Sequence, residues 1–193
     1  NYGGKIKSMD LKVIDNFLPS RVFDRLLKIV ESNSLTWVWN NDSHIHPVTK
    51  QGDNHWMFSQ LLFIGPGMTG GPGAHALYPA FQVIEDYQAD IYPFQQAMKL
   101  KLNLYPNQGK NVVHAEHTDV YEGYQRDKRI ITSVFNFHTC NGSTVVKIDG
   151  KKNNIPSKAN RLVLFDNTWH CGITQSDVPR RIVLNLNVTK LES

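Results

Sequence analysis

The second half of the chain is a succession of short strand-like segments separated by turn signals, and this succession limits the possible fold more than any other feature. Each segment is rich in β-branched or aromatic residues, or alternates polar and apolar residues, and Asn-Gly, Asp-Gly and proline signals separate them. The predicted strands are 99–105, 129–137, 144–148, 161–165 and 181–188. Many short strands at such intervals are typical of a sandwich or a barrel.

The first half adds two predicted helices and further strands. Apolar residues recur at helical spacing after Pro19 or Ser20, and either residue can begin a helix that ends near residues 32–34. A second helix is predicted over 78–98, with Pro93 kinking or dividing it. We expect a mainly β fold with N-terminal helices (α+β), whose strands form a double-stranded β-helix, or jelly roll. The further predicted strands are 11–15, 35–39 and 56–64.

Composition argues against several classes of protein. The 193 residues, 40% of them apolar and 20% charged, suit one folded domain over 1–193. The net charge of +4 is mildly basic, but the Lys and Arg residues are scattered and do not favour a nucleic-acid partner. Cys140 and Cys171 form no C-x-x-C pair, so we expect no disulfide scaffold or zinc ribbon. Without a membrane-length apolar run or a hydrophobic signal core, we expect a soluble cytoplasmic protein with no membrane partner.

The stretch His114-Ala-Glu-His-Thr-Asp119 carries the candidate metal ligands. Residues i and i+2 share one face of an extended chain, so His117 and Asp119 can converge on one ion. His170 is the preferred third ligand, because two histidines and one carboxylate form a facial triad that leaves open positions on a divalent iron. His114 and Glu116 have the same spacing, and strand geometry alone does not separate them from the first pair. The remaining histidines are interpreted as solvated or structural: His44, His46, His55, His75 and His138.

Two arginines begin the last predicted strand, ten and eleven residues after His170. The planar donor fork of a guanidinium there suits a dicarboxylate ligand. If the strand alternates regularly, Arg181 shares one face with Val183, Asn185 and Asn187, and Arg180 lies on the opposite face. The residues alone leave either arginine possible as the anion-binding group.

His117-Thr-Asp119, His170 and the Arg180-Arg181 strand resemble the Fe(II)- and 2-oxoglutarate-dependent dioxygenases, in particular their prolyl 4-hydroxylase-like branch. The resemblance covers nearly the whole chain. One departure is the segment Asn141-Gly-Ser-Thr144, where relatives commonly have Gly-Gly-x-Thr. Further matching stretches are Val13-Ile-Asp-Asn-Phe-Leu18, Leu104-Tyr105-Pro106 and Asn160-Arg-Leu-Val-Leu-Phe165.

This resemblance implies an oxidoreductase, a hydroxylase that couples decarboxylation of 2-oxoglutarate to succinate with oxidation of a second substrate. It implies Fe(II), with 2-oxoglutarate and dioxygen as co-substrates and ascorbate as an optional accessory. It also implies a metal site formed by His117, Asp119 and His170. The co-substrate would be bound by Arg181, Tyr105 and Asn185, with Arg180 as the alternative to Arg181.

The sequence does not identify the acceptor substrate. A peptidyl proline or another protein side chain is the expectation from the resemblance, and a free amino acid, another small metabolite or a nucleobase is the alternative. Two other function classes stay open, namely a cupin-like jelly-roll module that binds a metal or ligand without oxidising it, and a purely structural β domain. If Arg181 faces the triad across a pocket, the oxygenase is favoured over the binding module.

Overall fold

The computed structural model describes residues 9, 11–33, 35–42, 52–65, 77–122 and 125–191. The expectations for His44, His46 and His75 fall outside these residues. The described chain has two α-helices, α1 at Ser20–Glu31 and α2 at Tyr78–Ile91. Within it, no helix is long and apolar enough to cross a lipid bilayer. The strands are β1 Lys12–Asp15, β2 Val38–Asn40, β3 Met57–Ile64, β4 Phe94–Pro106, β5 Tyr121–Glu122, β6 Gln125–Arg126, β7 Ile130–Asn136, β8 Ser143–Ile148, β9 Lys151–Pro156, β10 Arg161–Asp166, β11 His170–Ile173 and β12 Arg180–Lys190.

The strands form antiparallel sheets, so the fold is mostly β. The large sheet has seven strands in the order β1-β10-β7-β12-β4-β3-β2, and a second sheet has three in the order β11-β8-β9. Strands β5 and β6 form a separate hairpin. Strand β7 is buried along its whole length, because the large sheet is covered on both faces.

Alternation along β12 divides the apolar residues between two cores. Ile182, Leu184 and Leu186 face the core under the helices, which contains Leu26 and Val30 of α1. Val183 faces the other core, between the two sheets, where it joins Val146 of β8 and Ile155 of β9. Polar residues on the same face of β12 as Val183 therefore point into the space between the sheets.

The boundary between α2 and β4 differs from the predicted helix over 78–98. The helix ends at Ile91, and Tyr92 is extended with φ −143° and ψ 92°. Pro93 lacks an N–H and restricts the residue before it to extended conformations, so the helix cannot continue through it. The following residues pair with β12, with Ala97 opposite Val188. The helical prediction was therefore wrong beyond residue 91.

Candidate metal centre

The backbone brings two of the predicted ligands together. His117 and His170 face each other across an isolated antiparallel bridge, where the N–H of each donates to the carbonyl oxygen of the other at 2.9 Å. The centroids of the two imidazole rings lie 4.5 Å apart. The short strand β11, missed from the sequence, places His170 at this position.

The third side chain, Asp119, lies beside both rings. His117 Nε2 is 4.0 Å from Asp119 Oδ1, and His170 Nε2 is 3.7 Å from Asp119 Oδ2. One ligand atom from each of the three side chains lies within 4.8 Å of the others. The backbone N–H of Asp119 donates to Asn167 Oδ1 at 3.0 Å, which holds this turn of the chain in place.

Hydrogen bonds select the tautomer of each histidine. His117 Nδ1 lies 3.0 Å from the carbonyl oxygen of Ala115, and His170 Nδ1 lies 2.9 Å from that of Thr168. A carbonyl oxygen only accepts, so each Nδ1 carries the proton and each Nε2 keeps its lone pair. His170 Nε2 is buried and has no hydrogen-bond partner. Two neutral imidazole nitrogens and one carboxylate are a ligand set that suits a divalent iron.

Asp119 is negatively charged despite its burial. Burial alone would raise the pKa of its carboxyl group, but the charge of Lys99, together with the adjacent His170 and His117 rings, outweighs it and holds the pKa well below the usual range. Asn187 adds to this effect by donating from Nδ2 to Asp119 Oδ2 at 3.0 Å. Asn187 is fully buried and also donates to Thr132 Oγ1 at 3.1 Å, so it fixes the position of the carboxylate.

The rival pair, His114 and Glu116, does not converge. Glu116 forms an ion pair with Lys152. The His114 ring is buried, stacks on His55 at a centroid distance of 5.1 Å and lines the same pocket as His117. In a regular strand His114 and His117 would lie on opposite faces. The chain before His117 makes only isolated bridges and is not a regular strand, so this alternation does not hold.

Arg181 is buried among neutral groups. Its side chain is 1% exposed, and its guanidinium donates to Ser157 Oγ at 3.3 Å, Asn136 Oδ1 at 3.3 Å and Thr144 Oγ1 at 3.1 Å. No carboxylate of the described residues pairs with it. Burial lowers the pKa of the guanidinium, and a buried charge without a counterion is costly. The site therefore favours binding of an anion.

The chain approaches Arg181 closely at Gly142. A Cβ there would lie 3.0 Å from Arg181 Cδ and 2.9 Å from the carbonyl oxygen of Ile173. Glycine at this position thus makes room for the guanidinium. Asn141, directly before it, contacts other residues: its backbone N–H donates to Asp177 Oδ1 and its Nδ2 donates to Ser176 Oγ.

One pocket connects the arginine with the triad. Arg181, His117 and His170 all line it, together with Tyr105 and Asn185. Tyr105 lies opposite Arg181 in the β4–β12 register, and the guanidinium carbon is 5.6 Å from the centre of its ring. The side-chain oxygen of Asn185 is buried without a hydrogen-bond partner. By contrast, Arg180 is exposed and pairs with Glu31 of α1 at 3.3 Å.

Several residues that support the site were not recognised from the sequence. Ser157 and Asn187 touch Arg181 and Asp119, respectively, but both are single polar residues with no motif around them. The signal for Asn187 was its position on the same strand face as Arg181. Lys101, which also lines the pocket, had the same kind of signal in the alternation of β4.

Comparison with solved structures identifies the fold. An oxidoreductase of the 2OG-Fe(II) oxygenase family from Burkholderia pseudomallei matches with TM-score 0.65 and 9% identity, over 95% of this chain and 86% of its own. A prolyl-4-hydroxylase from Pseudomonas putida matches with TM-score 0.56 and 18% identity, over 94% and 92%. A prolyl hydroxylase from Trichoplax adhaerens, in complex with a hypoxia inducible factor peptide fragment, matches with TM-score 0.59 and 16% identity, over 93% and 83%. A scan against protein-family models and a search of curated proteins find no match. The structural similarities confirm the jelly-roll fold of these oxygenases.

Proposed function

We propose that this protein is an Fe(II)- and 2-oxoglutarate-dependent dioxygenase that couples the decarboxylation of 2-oxoglutarate to succinate with oxidation of a second substrate. One observation carries the proposal: Arg181, a buried cation without a carboxylate partner, lines the same pocket as His117 and His170. An iron site and an anion site in one pocket are what a 2-oxo dicarboxylate requires. The fold that this chain shares with 2OG-Fe(II) oxygenases supports the proposal.

In this proposal His117, Asp119 and His170 hold the iron, which when bound supplies a Lewis acid and a redox centre for dioxygen. The two neutral imidazoles and the charged carboxylate would supply three ligands to it, so that the other ligands could come from the co-substrate and dioxygen. Asn187 keeps Asp119 in position, and the Ala115 and Thr168 carbonyl oxygens keep the two rings in the ligating tautomer.

The other residues of the pocket bind the co-substrate. Arg181 pairs with the distal carboxylate of 2-oxoglutarate, and the phenol of Tyr105 approaches the same group from the neighbouring strand. Burial raises the pKa of Tyr105, although the charge of Arg181 opposes this, so the phenol keeps its proton and can donate it in a hydrogen bond. Asn185 has a free side-chain oxygen on the same pocket wall and is the third residue assigned to the co-substrate.

A jelly-roll module that binds a metal or ligand without oxidation is the second candidate. A buried metal-ligand set alone is compatible with it. The pocket that Arg181 shares with the triad favours the oxygenase, because a purely structural metal site has no need of a buried cation beside it.

The acceptor is proposed at the level of its class, as a peptidyl side chain such as proline or a small molecule. The peptide-bound prolyl hydroxylase among the similar structures supports the peptidyl case. We also propose that residues 1–193 act as one catalytic domain and that the protein works in the cytoplasm. The single large sheet, which includes both β1 and β12, supports the proposal of one domain.

The test is to incubate the protein in air with Fe(II) and 2-oxoglutarate and to measure succinate. The same assay is then repeated with candidate peptides. The expected result is succinate that depends on Fe(II) and is lost in Asp119→Ala. If the protein binds Fe(II) but never forms succinate or binds 2-oxoglutarate, the binding module is the better description.

A further inference from the structure

The pocket contains a second cation, Lys101, that the binding of iron and 2-oxoglutarate does not require. Lys101 lies on β4 opposite Asn185 of β12, four residues from Tyr105, which lies opposite Arg181. At about 3.4 Å per residue, the backbones at Lys101 and Tyr105 are roughly 13 Å apart along the strand. The two cations therefore begin at separate positions along the strands, and Lys101 is nearer to the metal centre, because its partner Asn185 is two residues from Asn187, which donates to Asp119.

Lys101 has no carboxylate partner among the described residues, although it is largely enclosed. Burial, with a smaller contribution from the charge of Lys99, lowers the pKa of its ammonium group from 10.5 to about 8, whereas Asp119 acts in the opposite direction. The group is still mainly protonated at pH 7. It thus provides a positive charge, held near Asp119, that faces the pocket.

Two buried side-chain oxygens border this cation. Asn103, which is 4% exposed, precedes Tyr105 on the same face of β4, and Asn185 is the cross-strand partner of Lys101. The Oδ1 atoms of Asn103 and Asn185 are both buried and have no hydrogen-bond partner. Both residues line the pocket. Because Asn185 is assigned to the co-substrate, the ammonium of Lys101 and the free oxygen of Asn103 remain for a ligand that carries an anionic group next to an N–H or O–H donor.

The charges of the site also point to a further anion. The pocket lining contains Arg181 and Lys101 but no carboxylate of the described residues. Once Asp119 and the dianionic co-substrate have offset the iron and Arg181, the charge of Lys101 remains. Two residues of opposite charge lie outside this lining. Lys99 lowers the pKa of Asp119, and Asp53 raises the pKa of Tyr105. Neither 2-oxoglutarate nor any described residue that lines the pocket neutralises Lys101.

We propose that Lys101, together with Asn103, is a second anion-binding subsite and that it recognises a carboxylate of the acceptor substrate. This inference rests on the proposed function and narrows its acceptor to an acidic molecule, such as an N-acylated amino acid or an acidic peptide. Lys101 binds the acceptor beside the metal centre, while Arg181 remains occupied by 2-oxoglutarate.

The test uses two probes of nearly the same size that differ in charge, N-acetylalanine and N-acetylalaninamide. The protein is loaded with Mn(II) and saturated with 2-oxoglutarate under argon, so that Arg181 is occupied and no turnover takes place. Mn(II) accelerates the relaxation of the acetyl methyl protons of a probe bound near the triad, and titration of this effect gives the probe affinity. Binding of 2-oxoglutarate to the Fe(II) form is measured separately, from its visible metal-to-ligand band.

Wild-type protein should bind the acid roughly ten- to a hundredfold more tightly than the amide, as expected for a charge-assisted hydrogen bond. Lys101→Met should lose this preference and keep its 2-oxoglutarate affinity, which also shows that the variant is folded. Lys101→Arg should retain the preference. Lys28→Met, which removes an exposed lysine of α1, is the matched control for net charge and should behave as wild type.

Three results would overturn the subsite. In the first, wild-type protein binds the two probes with equal affinity. In the second, Lys101→Met still prefers the acid to the amide. In the third, Lys101→Met loses affinity for 2-oxoglutarate. The last would assign Lys101 to the co-substrate. Should Lys101→Met not fold, Lys101→Gln gives the same reading. If wild-type protein shows no Fe(II)-dependent 2-oxoglutarate band, the proposed function itself fails, and this outcome is distinct from the other three.

Discussion

Replacing Arg181 by methionine removes a buried cation while filling much of the same volume. The guanidinium is held by Ser157, Asn136 and Thr144, all of them neutral. Without an anion its burial is unfavourable, and exchange of a buried charge for an apolar group of similar size is often neutral for stability. We therefore expect Arg181→Met to unfold at nearly the same temperature as ligand-free wild type.

The loss should occur in co-substrate binding. A guanidinium that donates two hydrogen bonds to a carboxylate contributes about 1.5–3 kcal/mol per bond, and about 3–4 kcal/mol for the pair is a moderate value. The affinity for 2-oxoglutarate should then fall roughly 10²- to 10³-fold. Arg181→Lys keeps the charge but not the planar fork, so it should recover part of the loss. Fe(II) binding should be unchanged, since Arg181 has no hydrogen bond to the triad.

The assay is an anaerobic titration of 2-oxoglutarate into the Fe(II) form of each variant, followed by the visible metal-to-ligand band. Arg180→Met is the matched control, because Arg180 is the adjacent arginine, is exposed at the start of β12 and pairs with Glu31. Its 2-oxoglutarate affinity should equal that of wild type. If Arg180→Met shows the loss instead, the strand register is misassigned, and if neither variant does, the co-substrate assignment is refuted.

Three further predictions concern the metal centre and the helical core. Asp119→Ala should lower Fe(II) affinity at least about a hundredfold, because two neutral imidazoles do not offset the charge of the ion. Competition with a chelator measures this affinity, and an unchanged value would contradict the metal site. Asn187→Ala removes the donor to Asp119 Oδ2 and should weaken Fe(II) binding roughly tenfold. Asn187→Asp also lacks this donor and should not restore the affinity. Wild-type affinity in Asn187→Ala would show that this hydrogen bond is not needed. Burial raises the pKa of the Glu85 carboxyl from 4.5 to about 7, so the folded protein retains a proton that the unfolded chain releases. Its free energy of unfolding should fall by about 1–3 kcal/mol as the pH rises through that interval, and denaturant titrations of Glu85→Gln should lack this decline.

Prediction from the sequence succeeded where a regular strand determines which face of the sheet each side chain occupies. Alternation along β12 placed Ile182 and Leu184 in one core and Arg181 and Val183 in the other, because this strand is straight between two neighbours. The opposite position of Arg180 followed from the same rule.

Prediction failed where tertiary contacts decide the conformation. The stretch before His117 is held by bridges to β11, so His114 faces the pocket although strand parity assigns it to the other side. Strand β9 is a mostly polar edge strand, and its pairing with β8 leaves no hydrophobic pattern in the sequence. Ser157, at the end of β9, reaches Arg181 only because the second sheet folds over the first.

The central claim is that one ion and one dicarboxylate share the pocket between His117, His170 and Arg181. Crystals grown without oxygen in Mn(II) and 2-oxoglutarate test it directly through anomalous diffraction. We expect one manganese peak bounded by His117, Asp119 and His170, and the distal carboxylate of 2-oxoglutarate against the guanidinium of Arg181. Manganese elsewhere, or a carboxylate that leaves Arg181 without an anion, would contradict it.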